Sequence, residues 1–300
     1  MEVGKVTSSN TIDTWTDESA SGGRSPELPY TAARSWFLIS GASDLPQSMG
    51  SGADVDILDL EDAVPPAEKL AARAQVVNAL HHRRAWVRIN DVTTEFWKDD
   101  VAALRDSPGL LGVMLAKTDS ASDVDKITEG LRVTTPVIAF IESAAGLEAA
   151  GTIATHPRVG RLAFGSGDFR MDVGAGIDRN ALTYARSRLV VVSRAAGLPA
   201  PIDGPTVPDD QILTVDETEY AAGLGMTGRM CLHASHAATI NTALSPTGRE
   251  ISDAKELITL LGPDGANARK GSDLPRLARA HRVLDRARTF GLNTLAPEMH

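Results

Sequence analysis

From about residue 34 onward the chain alternates short apolar runs with longer stretches of mixed polarity, the rhythm of one strand followed by one helix. The runs Trp36–Ser40, Asp54–Leu60, Ala85–Asn90, Gly112–Lys117, Pro136–Ile141, Arg161–Phe164, Ala200–Asp203 and Arg229–His233 are mostly apolar instead of strictly alternating. Strands buried on both faces of a parallel sheet require that pattern. Between them, Pro66–Leu80, Thr94–Leu104, Ala121–Leu131, Ala144–Thr155, Ala181–Ala196 and Asp209–Gly223 read as helices. Eight such strands with intervening helices predict an α/β fold, the (β/α)8 TIM barrel. A doubly wound open sheet would carry a Gly-rich dinucleotide turn after the first strand, and this chain has none there. After His233 the alternation stops. Ser252–Leu261 and Leu274–Phe290 are predicted helices, joined by GPDGANARKGSD, a Gly- and charge-rich hinge that would let the last helix cover a site on its own barrel or on a neighbouring subunit. The expected organisation is a flexible tail over 1–30, a barrel over 31–245 and a C-terminal helical extension over 246–300, serving as lid or oligomer contact.

Composition narrows the setting. With 300 residues, 42% of them hydrophobic, the chain can bury a large core. Its single cysteine, Cys231, excludes an intrachain disulfide, and no run reaches the roughly 18 to 20 apolar positions of a membrane helix. The first residues lack the apolar core of a signal peptide. A reducing, cytoplasmic location without a membrane partner is therefore expected. Thirty Lys and Arg against 39 Asp and Glu give a net charge of −9, with the basic residues dispersed, which argues against a nucleic-acid partner. An anionic small molecule stays open, because a few arginines in a cleft set the local potential.

In a barrel of this kind chemistry sits at the C-terminal ends of the strands. Polar residues close six of the apolar runs here: Asp59, Glu61 and Asp62; Arg88 and Asn90; Lys117; Glu142; Asp168; and His233. Any one of them alone is as readily a strand cap or a core ion pair; together they would ring the barrel mouth. Glu142 and Asp168 offer two hard oxygen ligands with positions left for water and substrate, the arrangement Mg²⁺ favours, although either acid could instead pair with Arg88 or Lys117. A zinc site lacks its HExxH or CxxC signature. Arg88 has the planar fork that suits a substrate carboxylate, and it can also neutralise Glu61 or Asp62. Of the three neighbouring acids, Glu61 is expected to orient Arg88, with Asp59 or Asp62 structural. Backbone N–H groups near Gly165 and Gly167 can approach a carboxylate or enolate closely. Lys69 and Arg73, four apart on a predicted helix, read as a solvated face that could also meet phosphates.

Taken together, the stretches RSWFLIS (Arg34–Ser40), DILDLEDAVPPAEKLAAR (Asp56–Arg73), VRIN (Val87–Asn90), GVMLAK (Gly112–Lys117), AFIESAAGL (Ala139–Leu147), FGSGDF (Phe164–Phe169), ARSRLVVVSRAAGL (Ala185–Leu198) and GRMCLHASH (Gly228–His236) resemble the citrate lyase beta-subunit-like family of the HpcH/HpaI aldolase superfamily, which includes malyl-, citramalyl- and citryl-CoA lyases. The resemblance implies a TIM barrel, commonly a homotrimer or hexamer, that uses Mg²⁺ to cleave or form a carbon–carbon bond next to a thioester, with an oxo acid and an acyl-CoA as partners. It places Glu142 and Asp168 as metal ligands, Arg88 as the substrate-carboxylate arginine and Glu61 and Asp62 as the acidic pair beside it. Gly167 lies in the substrate-binding Gly-rich stretch, and Arg34 would contact the CoA end. Asp273, followed by Pro275, would act as acid/base in a neighbouring active site. Ala116, Ala234 and His236 depart from the family's usual residues, and the first loop, GASDLPQSMGSGADVD, lacks the basic residues that often help hold CoA phosphates. Two alternatives accompany this reading: an aldolase acting on free hydroxy-oxo acids to give pyruvate, and a non-catalytic barrel subunit.

Overall fold

The computed structural model describes residues 28–292, so most of the expected N-terminal tail lies outside the described residues. Eight strands, β1 (Ser35–Ser40), β2 (Val55–Asp59), β3 (Ala85–Ile89), β4 (Leu110–Leu115), β5 (Val137–Ile141), β6 (Val159–Phe164), β7 (Ile202–Asp203) and β8 (Gly228–Cys231), pair in chain order as a closed barrel. Every pairing is parallel, including β8 back onto β1. This is the expected TIM barrel. Alternation along each strand divides the apolar residues in two. Trp36, Ile57, Trp86, Met114, Ile138, Phe140, Ala163, Ile202 and Met230 form one buried cluster, which fills the lumen. Leu58, Val87, Val113, Leu115, Ala139, Ile141 and Leu162 belong to the larger cluster between the sheet and its helices. Gly112 is needed in the lumen, since a Cβ there would lie 2.4 Å from the Trp86 ring.

The helices are α1 (Leu45–Ser48), α2 (Lys69–His82), α3 (Trp97–Leu104), α4 (Ala121–Thr128), α5 (Ala144–Ala154), α6 (Ser166–Asp172), α7 (Thr183–Ala195), α8 (Gln211–Leu224), α9 (His236–Ala243), α10 (Gly248–Leu261) and α11 (Asp273–Thr289). Their ends follow local chemistry. Ser143 caps α5 by accepting from the Gly146 N–H at 2.9 Å. Asp210 caps α8, which stops at Gly225 in a left-handed turn with φ 106°. Three short helices, α1, α6 and α9, are absent from the sequence pattern. In α6 the GSGD stretch has poor helix propensity, and the helix is held by Phe169, buried edge-on against Phe164 at 5.2 Å. Tertiary packing here overrides propensity.

The N-terminal end of the barrel is closed by polar links. Arg161, fully buried, donates to the carbonyls of Tyr30, Ala33 and Ala200 and to the Thr227 hydroxyl. Arg34, just before β1, grips Asp54 through two bonds of 2.8 and 2.9 Å, donates to Ser245, and stacks 4.2 Å from the Phe290 ring centroid after α11. α11 also packs along α10. Thus the hinge returns the last helix to its own barrel here, with the Phe290 end at the face opposite the strand C-termini. No helix among the described residues is long and apolar enough to cross a membrane.

Candidate active site

The lumen-facing rows of β2, β3 and β5 all run out of apolar residues toward the C-terminal end of the barrel. Ile57 is followed two places on by Asp59, Trp86 by Arg88, and Phe140 by Glu142, so strand alternation alone delivers two acids and a guanidinium to the barrel mouth. Asp59 and Arg88 are register partners across β2 and β3. Arg88 Nε and Nη2 each donate at 2.7 Å to the two Asp59 oxygens, and Nη1 lies 3.0 Å from Glu61 Oε2. Burial works against the guanidinium's charge, but Asp59 and Glu61 more than offset it and hold Arg88 well above its ordinary pKa. Asp59, rather than Glu61, is therefore the principal orienting partner, a correction to the expectation that it would be structural beside Glu61.

Glu61 is buried and shared. Its Oε1 accepts from Lys117 Nζ at 2.6 Å and its Oε2 from the Asp62 N–H at 2.8 Å. Burial raises its pKa, and the neighbouring Arg88 and Lys117 only partly offset that. Asp62 is more exposed and takes a longer contact of 3.5 Å from Lys117. The loop carrying these acids is fastened from below by Lys69. This side chain is buried, and its Nζ donates to the carbonyls of Leu60 and Glu61 and to Asn90 Oδ1 at 2.6–2.7 Å. Arg73 is likewise buried against Asp100 at 2.8 Å, and Asp100 in turn holds Asn90. Lys69 and Arg73 thus form internal struts, not the solvated or phosphate-binding face expected from their spacing.

Glu142 follows β5 directly, and Asp168 stands in the first turn of α6, four residues beyond β6 and not at the strand end itself. Glu142 Oε1 accepts the Lys117 backbone N–H at 2.7 Å. Its other oxygen has no hydrogen-bond donor among the described residues and lies where only a glycine fits: a Cβ on Gly165 would sit 2.5 Å from Oε2 and 2.4 Å from the Glu142 Cβ. Burial pushes the Glu142 carboxyl up to about 8, with Glu61 and Asp168 adding to the rise. Two hard carboxylates near each other, an oxygen left undonated and an excess of acid over Arg88, Lys117 and Lys69 suit a divalent oxygen-seeking cation. Gly167, in the same turn as Asp168, is exposed with open space around its Cα.

Lys117 entered the sequence reading only as the residue closing the fourth apolar run and as a possible ion-pair partner of Glu142 or Asp168. It is the only described residue other than glycine with a left-handed backbone, φ 45°. That conformation lets its N–H reach Glu142 while its side chain reaches Glu61. No sequence signal announces it. The Asp59–Arg88 pair did have one, because two opposite charges ending adjacent parallel strands meet when the register brings them level.

Three expected site residues are engaged in other contacts, His233 among them just past the end of β8. Arg34 is at the N-terminal end of the barrel, committed to Asp54, Ser245 and Phe290, away from the mouth. Asp273 begins α11, where it accepts the Arg269 and Lys270 N–H groups at 2.9 and 2.8 Å; those bonds draw its pKa down. Seventeen residues of helical rise, about 25 Å, separate it from Phe290. His233, also a strand-end candidate, contacts the Val207 carbonyl at 3.1 Å.

Comparison with known proteins adds an independent line. A profile described as HpcH/HpaI aldolase/citrate lyase matches residues 35–234, and one described as the HpcH/HpaI aldolase C-terminal domain matches residues 249–291. The chain is similar to a (3S)-malyl-CoA thioesterase of Cereibacter sphaeroides, 32% identical over 229 residues, spanning 73% of this chain and 79% of the relative. It is also similar to an L-malyl-CoA/beta-methylmalyl-CoA lyase of that organism, 30% identical, spanning 73% and 80% of the two chains. Among solved structures, the protein CitE from Mycobacterium tuberculosis in complex with magnesium, acetoacetate and coenzyme A superimposes with a TM-score of 0.73 at 26% identity, covering 86% of this chain and 99% of that one. A closed parallel barrel, a mouth built from Asp59, Arg88, Glu61, Lys117 and Glu142, and a profile match over most of the chain agree: this protein belongs to the HpcH/HpaI aldolase/citrate lyase family of carbon–carbon lyases.

Proposed function

We propose that this protein is a Mg²⁺-dependent lyase that cleaves, or in reverse forms, a 3-hydroxy-acyl-CoA of the malyl-, citramalyl- or citryl-CoA type, exchanging it for an acyl-CoA and an oxo acid. The observation that carries this reading is the convergence at the lumen mouth of a pinned guanidinium, Arg88, with a pair of carboxylates, Glu142 and Asp168, that is short of positive charge. Glu142 and Asp168 would hold the cation, which when bound supplies Lewis-acid polarisation of the hydroxy-acid oxygens. Arg88 has five N–H donors and spends three on Asp59 and Glu61; the remaining N–H on each terminal nitrogen suits a substrate carboxylate. Because Asp59 and Glu61 fix the guanidinium plane, the clamp is set before substrate arrives. Lys117, kept charged by Glu61, is a hydrogen-bond donor at the mouth and not a base. The backbone around Gly167 adds uncharged donors for the developing enolate. The hydroxyl proton needs an ionised carboxylate, and we assign Asp273 of a neighbouring copy to that step, with Glu61 as the alternative within the chain. This assignment calls for a homo-oligomer, for which the family resemblance suggests a trimer or hexamer, and we propose a cytoplasmic enzyme.

The test is to supply acetyl-CoA with oxaloacetate or glyoxylate and Mg²⁺ and look by mass spectrometry for the condensed thioester. A Mg²⁺-dependent adduct, lost in Arg88→Ala, is the expected result. Two other readings rest on specific observations. The relative named a thioesterase favours hydrolysis, which would release free CoA from the same hydroxyacyl thioester without an oxo acid. The first loop, without basic residues between Gly41 and Asp56, favours free hydroxy-oxo acids, which would be turned over to pyruvate with no CoA present.

A further inference from the structure

We propose that the cleft on the outer face of β7 and β8, beside α6, is a binding site for a phosphate-type oxyanion. Strand alternation places its floor outside the lumen, while its edge at Ser166 and Gly167 adjoins the barrel mouth. Ile202 and Met230 point inward, so their neighbours Asp203 and Arg229, register partners across β7 and β8, point outward under α7 and α8. The cleft has a volume of about 260 Å³, and Arg170 of α6, Arg179, Arg186 of α7 and Arg229 line it, with Glu217 as the sole lining acid.

The arginines are not equally engaged. Asp203 is fully buried and is shared by Arg186 and Arg229, at 2.8 and 2.7 Å. Glu217 takes a second bond from Arg229, and Arg179 pairs with Asp216 at 2.6 Å. Arg170 pairs with no carboxylate among the described residues and has only a 3.5 Å contact to the Asp178 carbonyl. The Arg186 side chain is 9% exposed, yet its Nη1 is buried without a hydrogen-bond partner, and the Arg229 Nε is in the same state. A buried charged donor left unmade is costly, so the wall of the cleft holds positive charge and donor capacity that its carboxylates do not use up. Cations approach from α6, the segment before α7, α7 itself and β8. A planar carboxylate presents acceptors in one plane, whereas a tetrahedral phosphate presents them on every side. Ile177 and Val207, both lining the cleft and largely exposed, add an apolar rim that suits an organic group carrying the phosphate.

Two sources share this chemistry: the phosphates of a CoA carrier, which rests on the lyase reading above, and a free phosphorylated metabolite. Pyrophosphate, titrated calorimetrically into the full chain without divalent metal, tests the site independently of turnover. Binding is expected in the parent protein and about tenfold weaker in Arg170→Ala and in Arg179→Ala, both on the half-exposed or exposed rim. Arg132→Ala, at an exposed site elsewhere, should bind as the parent does. No binding by the parent, or binding by both rim variants as tight as the parent's, overturns the proposal while leaving the lyase reading intact. Source is then separated by kinetics. A larger rise in KM for an acyl-CoA than for the matching phosphate-free acyl-pantetheine in Arg170→Ala identifies the carrier; equal KM values together with lost pyrophosphate binding identify a separate metabolite.

Discussion

The backbone N–H of Lys117 donates to Glu142 Oε1 at 2.7 Å, and it does so from a left-handed conformation that non-glycine residues rarely adopt. The same residue's Nζ holds Glu61 at 2.6 Å, so one strained position ties two acids of the mouth together. Strain of this kind persists only where the surroundings enforce it. Replacing Lys117 with Gly should relieve the backbone while removing the Nζ contact. Lys117→Gly is expected to be about 1 kcal/mol more stable than Lys117→Ala in urea unfolding, with turnover depressed in both. Equal stability of the two variants would show that φ 45° costs the fold nothing.

Gly165 stands where Glu142 needs room. An added Cβ would fall 2.5 Å from Oε2, so Gly165→Ala must displace the carboxylate, at a cost of about 1–3 kcal/mol. We expect Mg²⁺ affinity, measured calorimetrically, to drop about tenfold or more. Unchanged affinity would remove Glu142 from the ligand set.

Asp59 is completely buried, and among the described residues it accepts hydrogen bonds from Arg88 and two backbone N–H groups. Asp59→Ala should lower stability by about 3 kcal/mol or more, because Arg88 keeps its buried charge and loses its bidentate partner. Asp59→Asn, which keeps the shape, should raise KM for the oxo acid more than it lowers kcat, since the clamp is loosened and the metal ligands are untouched. A pure kcat effect would contradict a positioning role.

Asp273 has a structural duty in its own chain and a proposed chemical one in a neighbour's. Its backbone hydrogen bonds depress its pKa, so the stabilisation they bring is present above the ordinary value of 3.8 and is lost as pH falls below it toward the lowered value. Asp273→Asn keeps an acceptor oxygen and should stay folded at pH 7 while losing turnover. Mixing it with Arg88→Ala during refolding should restore part of the activity, as hybrids then contain sites with both groups intact. Absence of complementation, with both variants assembled, would confine Asp273 to holding the turn before α11.

Cys231 is buried in β8, and burial pushes its thiol up to about 12 from an ordinary 9.0. The folded protein therefore holds this proton between pH 9 and 12 while the unfolded chain releases it, so the contribution to stability declines as pH rises through that window. At pH 8 a thiol reagent should label Cys231 only at the rate of global unfolding. Fast labelling of the native protein would mean that β8 opens locally.

How far the molecule could be read from its sequence differs element by element. The eight strands were legible because a parallel barrel buries both faces of each strand and writes that burial as continuous apolar runs. Arg88, Glu61 and Glu142 were legible for the complementary reason, a charge closing such a run. α6 was not, since its glycines disguise a helix that Phe169 packing holds in place. Nor were the buried roles of Lys69 and Arg73, whose spacing says nothing of what lies opposite them.

By itself, then, the order of residues determined the barrel, the height at which each apolar row ends and the acids and arginine that end it, all consequences of local periodicity. Only tertiary structure decided which partners those charges take: that Asp59 joins Glu61 on Arg88 and takes the bidentate share, that Lys117 twists to reach Glu142, that Arg34 lies at the opposite end, and that four arginines share a cleft behind β7. Charge pairing depends on register across strands and on distances below 3 Å between residues far apart in the chain, and neither is encoded in the spacing along it.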